Sequence, residues 1–424
     1  MYNYIPLEQA ADILDSYRKP VNNKERLNLI KGKPLDELFP YYGATGQVGW
    51  IDSFLTDGEY ILLGEDGAPF LNPYAEKAYI ICGKTWVNNH AHILRSKTNN
   101  EFLCYYLNYF NYRNYVSGTT RLKLTQAQMR KIPIPNIPSD EQFRIVARIE
   151  ELFSELDKAV GTLKTTKEQL EVYRQAVLKA AFEGKYTKWW RKNHNVSANE
   201  EYCELRKENQ VFKDTSGDEN ELSLNIPDEW VKVRLGEIFD VEVGATPSRQ
   251  HAEYWNGSIP WVSSGEVRFT TINKTREMIT DIGLKNASTN LQPIGTVLLA
   301  MIGEGKTRGQ SAILNIPAAH NQNTAAILVS KTLCQPKYIY YFLQLNYENT
   351  RRVGSGNNQK ALNKERVRAI RVPFAPIAEQ SIIVKEIEKR LSICENIEQT
   401  VNTALAQADA MRQSILKQTF EEKI

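Results

Sequence analysis

The sequence predicts an α+β protein built from two mixed α/β domains, each followed by a long coiled-coil helix. Three observations carry that expectation. One helix end is written twice, two long segments keep a heptad spacing of apolar residues, and the segments before them alternate strand-like and helix-like stretches.

The repeat comes first. "RQAVLKAAFEGK" (174–185) returns as "RQSILKQTFEEK" (412–423), with seven of twelve positions identical at an offset of 238. At the same offset Pro135 matches Pro373, Pro138 matches Pro376, and Glu141-Gln142 matches Glu379-Gln380. Ile145-Val146 and Ile149-Glu150 match Ile383-Val384 and Ile387-Glu388.

Both copies space apolar residues 4,3,4,3. The first seam is Ile145, Ile149, Leu152, Leu156, Ala159, Leu163, Leu170, Tyr173 and Val177. The second is Ile383, Ile387, Cys394, Ile397, Val401, Ala404, Ala408, Met411 and Ile415. That spacing defines a coiled-coil stripe. Ser139-Asp140-Glu141 supplies a cap and first-turn acids after Pro138. A helix over 139–182 is about 65 Å long and exposes its stripe unless it finds a partner, and the economical partner is the other copy.

A plain dimerisation coiled coil explains the heptads but not the match upstream of them. Ser117-Gly118 and Leu124 recur as Ser355-Gly356 and Leu362, and "NHAHIL" (89–94) resembles "NTAAIL" (323–328). "LCYYLN" (103–108) resembles "IYYFLQ" (339–344), and "PLEQAADIL" (6–14) echoes "RLGEIFDVE" (234–242). The repeated unit is therefore a globular domain plus a helix. The expected divisions are 1–138, helix 139–185, a polar linker 186–226, 227–375, and helix 376–424. "EYILLGEDG" (59–67), "TVLLAMIGEG" (296–305) and "AAILVSK" (325–331) read as strands, whereas 100–116 and 336–347 read as aromatic-rich helices.

At 424 residues two or three cores are expected. Lys+Arg 53 against Asp+Glu 50 leaves +3, so net charge does not announce a nucleic-acid partner. The five cysteines (Cys82, Cys104, Cys203, Cys334, Cys394) form no CxxC pair, which argues against a disulfide framework or zinc ribbon and suits a cytoplasmic location. Neither a signal peptide nor an apolar run of membrane-spanning length is read, so no membrane partner is expected.

"AMIGEGKT" (300–307) matches a relaxed phosphate-binding loop, yet "RGQSAILNIP" after it reads as a turn and strand, where a nucleotide site needs a helix N-terminus. "NPY" (72–74) lacks the second proline of an amino-methyltransferase loop. "EGK" (183–185) sits at a coiled-coil end. The histidines show no metal spacing. No catalytic centre, cofactor or metal site is read for this chain.

The polar loops are the candidate site. In the first module the candidates for DNA contact are Tyr42, Thr45, Lys84, Asn89, Thr119, Thr120, Arg121 and Lys123. In the second they are Ser248, Arg249, Ser263, Lys306, Thr307, Arg308, Gln310, Asn321, Gln322, Asn357, Asn358, Gln359 and Lys360. Arg and Lys can read guanine, Asn and Gln can read adenine, and hydroxyls can hold phosphates. Ordinary surface turns share this composition.

The combination resembles the specificity subunit of a Type I restriction–modification system. The helices opening "P..EQ" and closing "RQ..LK..FE.K", with "GATPSR" (244–249), "EYWNGSIPWVSSGEV" (253–267), "GEGKTRGQ" (303–310) and "IPDEWVKVRLGEIFDV" (226–241), carry the resemblance. "YYGATGQVGWID" (41–52) and "GKYTKWWRKN" (184–193) add to it. The resemblance implies two target-recognition domains, each reading half of a split double-stranded DNA sequence. It implies antiparallel spacer helices with pseudo-twofold symmetry. It further implies docking of methyltransferase subunits and of restriction (motor) subunits. S-adenosylmethionine, ATP and magnesium would then belong to those partners. The other reading is a catalytic NTPase or DNA methyltransferase with a coiled-coil tether.

Overall fold

The structure is a computed structural model that describes residues 3–206, 224–303, 305–352 and 361–423. It divides into two compact units, one of 1–167 with 399–424 and one of 168–398. Each unit holds one globular domain and part of each long helix.

The strands of the first unit are β1 (Tyr4–Pro6), β2 (Ala11–Ile13), β3 (Phe39–Gly43), β4 (Gly46–Ile51), β5 (Thr56–Asp57), β6 (Tyr60–Gly64), β7 (Ala78–Ile81), β8 (Lys84–Val87), β9 (Ala91–Ser96) and β10 (Pro133–Pro135). An antiparallel core sheet runs β2-β9-β6-β7. A second sheet runs β4-β3-β8-β5, with β3 and β8 parallel. β1 pairs with β10. The strand "YILLG" is apolar throughout because both of its faces are covered. Ile61 and Leu63 join the cluster containing helix α1 (Asn100–Tyr109), while Tyr60 and Leu62 join a cluster with Val87 and Ile93. Helix α1 is shorter than the expected 100–116. It ends where Phe110 turns extended, and Tyr112 folds back to donate its hydroxyl to the Leu107 carbonyl at 2.7 Å.

Helix α2 (Ser139–Phe182) opens on the Pro138 carbonyl, which accepts the amides of Glu141 and Gln142. It closes on Gly184 at φ +66°, with Lys185 N donating to Ala180 O and Gly184 N to Ala181 O. Those two bonds form a left-handed C-terminal cap that favours glycine.

The segment 186–226, expected as a linker, contains α3 (Lys188–Asn193) and α4 (Ala198–Leu205) in its first half. Short helices carry too few apolar turns to show a period, and here their polar residues act as caps and pairs. Glu201 on α4 accepts the Ile377 amide at 2.7 Å. Arg191 on α3 donates to the Gly184 carbonyl at 2.8 Å and pairs with fully buried Glu379. Trp230 Nε1 donates to the other Glu379 oxygen at 2.8 Å. Of the paired tryptophans, Trp190 is buried and stacks on His194, and Trp189 is exposed.

The second unit repeats the plan with β11 (Val231–Arg234), β12 (Val241–Val243), β13 (Trp255–Val262), β14 (Thr270–Ile272), β15 (Glu277–Ile279), β16 (Val297–Ala300), β17 (Ser311–Leu314), β18 (Ala319–His320), β19 (Thr324–Ile327) and β20 (Arg371–Phe374). The core sheet runs β12-β19-β16-β17, with β14 added at the edge. The second sheet runs β15-β13-β18, again with one parallel pair, β13 and β18. β11 pairs with β20. Helix α5 (Pro336–Leu345) takes the place of α1, and α6 (Ile377–Lys423) is the second long helix.

The helices run antiparallel within each unit. In the first, Arg412 pairs with Asp157, and Lys167 donates to Asn402 at 2.9 Å. In the second, Arg174 pairs with Glu398 at 2.7 Å. Ile145, Ile149, Leu156, Leu170, Val177, Ile383, Ile387 and Val401 are buried, and Leu152, Leu163 and Ile415 are half-buried. Ile397 and Met411 correct the expected seam, being 41% and 53% exposed. The inward position in those turns falls one residue later, at Glu398 and Arg412, which form the ion pairs just named. Tyr173 is likewise exposed beside Arg174.

Candidate nucleic-acid interface

In the first unit four connections meet: the β3–β4 turn, the loop after β6, the β8–β9 loop and residues 117–123. Backbone bonds join them. Asn88 N donates to Tyr42 O at 3.1 Å, Glu65 N to His90 O at 2.7 Å, Leu124 N to Glu65 O at 2.7 Å, and Gly67 N to Leu122 O at 3.2 Å.

Two adjacent acids organise this cluster. Asp66 faces His90 Nδ1 at 2.6 Å and Arg121 at 2.7 Å. Glu65 pairs with Lys123 at 3.1 Å and with Arg18. Burial pushes the Glu65 carboxyl up, but the bonds from Arg18 and Lys123 outweigh it and hold it below its usual range. Beneath lies fully buried His92, with Nδ1 2.8 Å from Asp15 and Nε2 3.0 Å from the Leu124 carbonyl. Burial also raises Asp15, and bonds from His92, Gln126 and the Ile93 amide bring it below the ordinary value.

Arg121 and Lys123 are thus positioned by carboxylates. Thr45, Asn89, Thr119 and Thr120 are exposed on the cluster, and Tyr42 is half-buried. An open recess of about 590 Å³ lies beside the turn, lined by Arg26, Tyr41, Val48, Asn88, Asn89 and His90. Lys84 is not part of the cluster. It begins β8 and lies over the Phe54 ring at 4.9 Å, roughly 13 Å of strand away from the β8–β9 loop.

In the second unit the equivalent connections also meet. Ala245 N donates to His320 O at 2.9 Å, Met301 N to Asn323 O at 2.8 Å, and Thr246 to Gln322. Gly244 is required there, since a Cβ would lie 1.9 Å from the His320 carbonyl. The glycine turn at 305–309 joins β16 directly to antiparallel β17, so no helix follows "GEGKT". Tyr347 donates to the Lys306 carbonyl at 2.5 Å, and Arg351 to the Gly305 carbonyl. Lys306 and Gln322 are exposed, and Thr307 and Gln310 are half-buried.

Arg249 lies over Trp255 at 3.6 Å and is held by both oxygens of Glu277. The Arg249 hydrogen bonds hold the Glu277 carboxyl below its usual range. Exposed Ser248 gives its carbonyl to Trp255 Nε1. Three candidates are turned to structural work. Ser263 bonds Glu266 with amide and hydroxyl. Asn321 is buried and accepts the Asn323 amide. Arg308 donates to the Arg351 carbonyl, and its Nε is enclosed. Asn357, Asn358, Gln359 and Lys360 lie outside the described residues.

Sequence reasoning missed Arg18, Glu65, Asp66, His90 and His92. The only signal for them was "GEDG" after an apolar strand. Their chemistry depends on contacts across 24 to 77 positions, which no local pattern reports. Among the described residues no group of His, Cys, Asp or Glu could hold a metal ion, and no helix is long and apolar enough to cross a membrane.

Known proteins share this fold. S.HindORF215P of Haemophilus influenzae, named as a type I restriction enzyme specificity subunit, is 36% identical over 149 residues, which is 35% of this chain and 36% of that protein. Matches to two further curated relatives span about two fifths of their length. A chain in a solved structure of the type I R-M system covers 99% of this chain and 97% of its own, at 15% identity and a TM-score of 0.66. The HsdS subunit from Thermoanaerobacter tengcongensis covers 100% and 97%, at 15% identity and a TM-score of 0.52, so both structures share the fold. The Type I restriction modification DNA specificity domain matches twice, over residues 9–172 and 227–407. With both modules matched and most of the sequence covered, the chain belongs to the Type I restriction modification DNA specificity domain family.

Proposed function

We propose that this chain is the DNA sequence-specificity subunit of a Type I restriction–modification complex and carries no catalytic site of its own. Each globular domain reads one half of a bipartite, asymmetric double-stranded target, in the cytoplasm. Methyltransferase subunits and restriction (motor) subunits assemble on the chain and bring S-adenosylmethionine, ATP and magnesium with them. One observation supports this reading above the others. Two domains with the same core-sheet order gather equivalent connections into one polar cluster each, and the two clusters carry different side chains. A common frame with unlike loops is what reading two unlike half-sites requires.

The tethered-NTPase reading is disfavoured by the strand that follows Thr307. The test is methylation-aware sequencing of DNA from cells that carry the assembled complex. A split motif, lost when this chain is deleted, supports the proposal. ATP or S-adenosylmethionine binding by the isolated chain contradicts it.

A further inference from the structure

The glycine turn between β16 and β17 is strapped from one side by the short helix Tyr347–Arg352. Tyr347 donates its hydroxyl to the Lys306 carbonyl at 2.5 Å, and Arg351 donates to the Gly305 carbonyl. The second arm of the Arg351 fork donates to the Tyr347 hydroxyl at 2.6 Å. From the turn, Arg308 donates back to the Arg351 carbonyl at 2.9 Å. The Tyr347 ring is fixed in its turn by Phe269, which meets it edge-on at 5.2 Å. Phe269 holds φ +51°, a left-handed conformation that is costly for an aromatic residue.

The strap takes two successive carbonyls, and this decides where the amides point. In a trans peptide unit the C=O and the following N–H are directed oppositely, and the described residues contain no cis peptide. With the Gly305 and Lys306 carbonyls drawn to the helix, the Lys306 and Thr307 amides are turned away from it. Gly305 is left-handed at φ +72° and Lys306 is not, an alternation that gathers successive N–H groups into an anion-binding concavity. Among the described residues neither amide has an acceptor. The field suits an anion as well. Across the described residues of the turn and the helix, Lys306, Arg308, Arg351 and Arg352 stand against one acid, Glu348.

We propose that the Lys306 and Thr307 amides together hold one phosphate of the DNA backbone, and that Tyr347 and Arg351 are the positioning residues that aim them. This rests on the reading of the chain as a DNA-reading subunit. The contact fixes register on the duplex and carries no base information. It is separate from the Lys306 side chain, whose own phosphate contact would be an additional one.

The test uses the full chain in its assembled complex and duplexes carrying its target. Each duplex has a single backbone phosphate replaced by an uncharged methylphosphonate. Tyr347→Phe keeps the ring and removes the hydroxyl, and Arg351→Lys keeps the charge and removes the fork. Each is expected to weaken binding to native DNA about five- to tenfold. On the one duplex that lacks the held phosphate, wild type and both variants are expected to bind alike. The loss should persist in a Lys306→Ala background, because the amides remain there. Asn349→Ala, an exposed change on the same helix, should bind as wild type does.

Wild-type affinity in either strap variant would overturn the proposal. So would a loss of the same size on every duplex, or a lowered melting temperature with no loss tied to one phosphate, since either leaves the strap a structural role only. A matching loss in Asn349→Ala, or no further loss in the Lys306→Ala background, would overturn it too. Inorganic phosphate that displaces DNA from wild type at constant ionic strength, but not from Tyr347→Phe, would assign the turn to a free anion instead. A wild-type complex that does not bind its target would contradict the DNA-reading role itself, whereas every other adverse result leaves that role standing.

Discussion

Gln142 and Gln380, 238 positions apart, make the same pair of hydrogen bonds. Each side-chain amide donates to the carbonyl five residues before it, Ile137 at 2.8 Å and Ala375 at 2.9 Å. Each Oε1 accepts from the residues that lead into the aromatic helix, Thr98 Oγ1 at 2.8 Å and the Gln335 amide at 3.1 Å. The "P..EQ" signature therefore ties the start of a long helix to its globular domain. Gln142→Ala and Gln380→Ala leave a buried carbonyl without its donor and should each cost about 1–3 kcal/mol in urea denaturation. A negligible cost at both sites would mean the signature has another role.

Glu379 and Arg191 form a buried pair, whereas Asp157 and Arg412 form an exposed one. Removing one partner of a buried pair strands the other charge. Glu379→Ala should cost about 3–5 kcal/mol, and Asp157→Ala far less, because exposed pairs contribute little. Equal losses would mean that water reaches Arg191.

His320 makes stability pH-dependent. Burial pushes its imidazole down to about 4 from the ordinary 6.5. Between those values the unfolded chain binds the proton and the folded chain does not. Its contribution is complete above pH 6.5 and is lost as pH falls towards 4, about 3 kcal/mol in all. His320→Gln should flatten that part of the stability–pH curve. An unchanged slope would contradict the assignment.

Lys306 stands exposed on the β16–β17 turn. If it meets DNA phosphate, Lys306→Ala should weaken binding similarly for all sequences. The salt dependence of binding should fall by about one contact. A loss confined to one sequence would make Lys306 a base reader.

Much of this was legible in the sequence because repeats and heptads are local patterns. The α2 span was read from Pro138 and an uninterrupted period, and the burial of Ile145 and Ile383 follows from them. The exposure of Ile397 and Met411 was not legible, since the choice between adjacent positions was made by Glu398 and Arg412 finding partners far along the chain. The loop clusters were legible as composition. Whether Ser263 and Asn321 face outward or serve as local caps depends on Glu266 and Asn323, and turn composition reads the same in both cases. The acids Glu65 and Asp66, which position Arg121 and Lys123, show in the sequence only as "GEDG" after an apolar strand, and that tetrapeptide does not name their partners.

The central claim is that the two domains read separate half-sites. It is tested most directly by replacing residues 227–371 with the corresponding domain of a relative of different specificity and sequencing the methylated motif. The account predicts that one half of the motif changes to the relative's and the other stays. A change in both halves, or in neither, would contradict it.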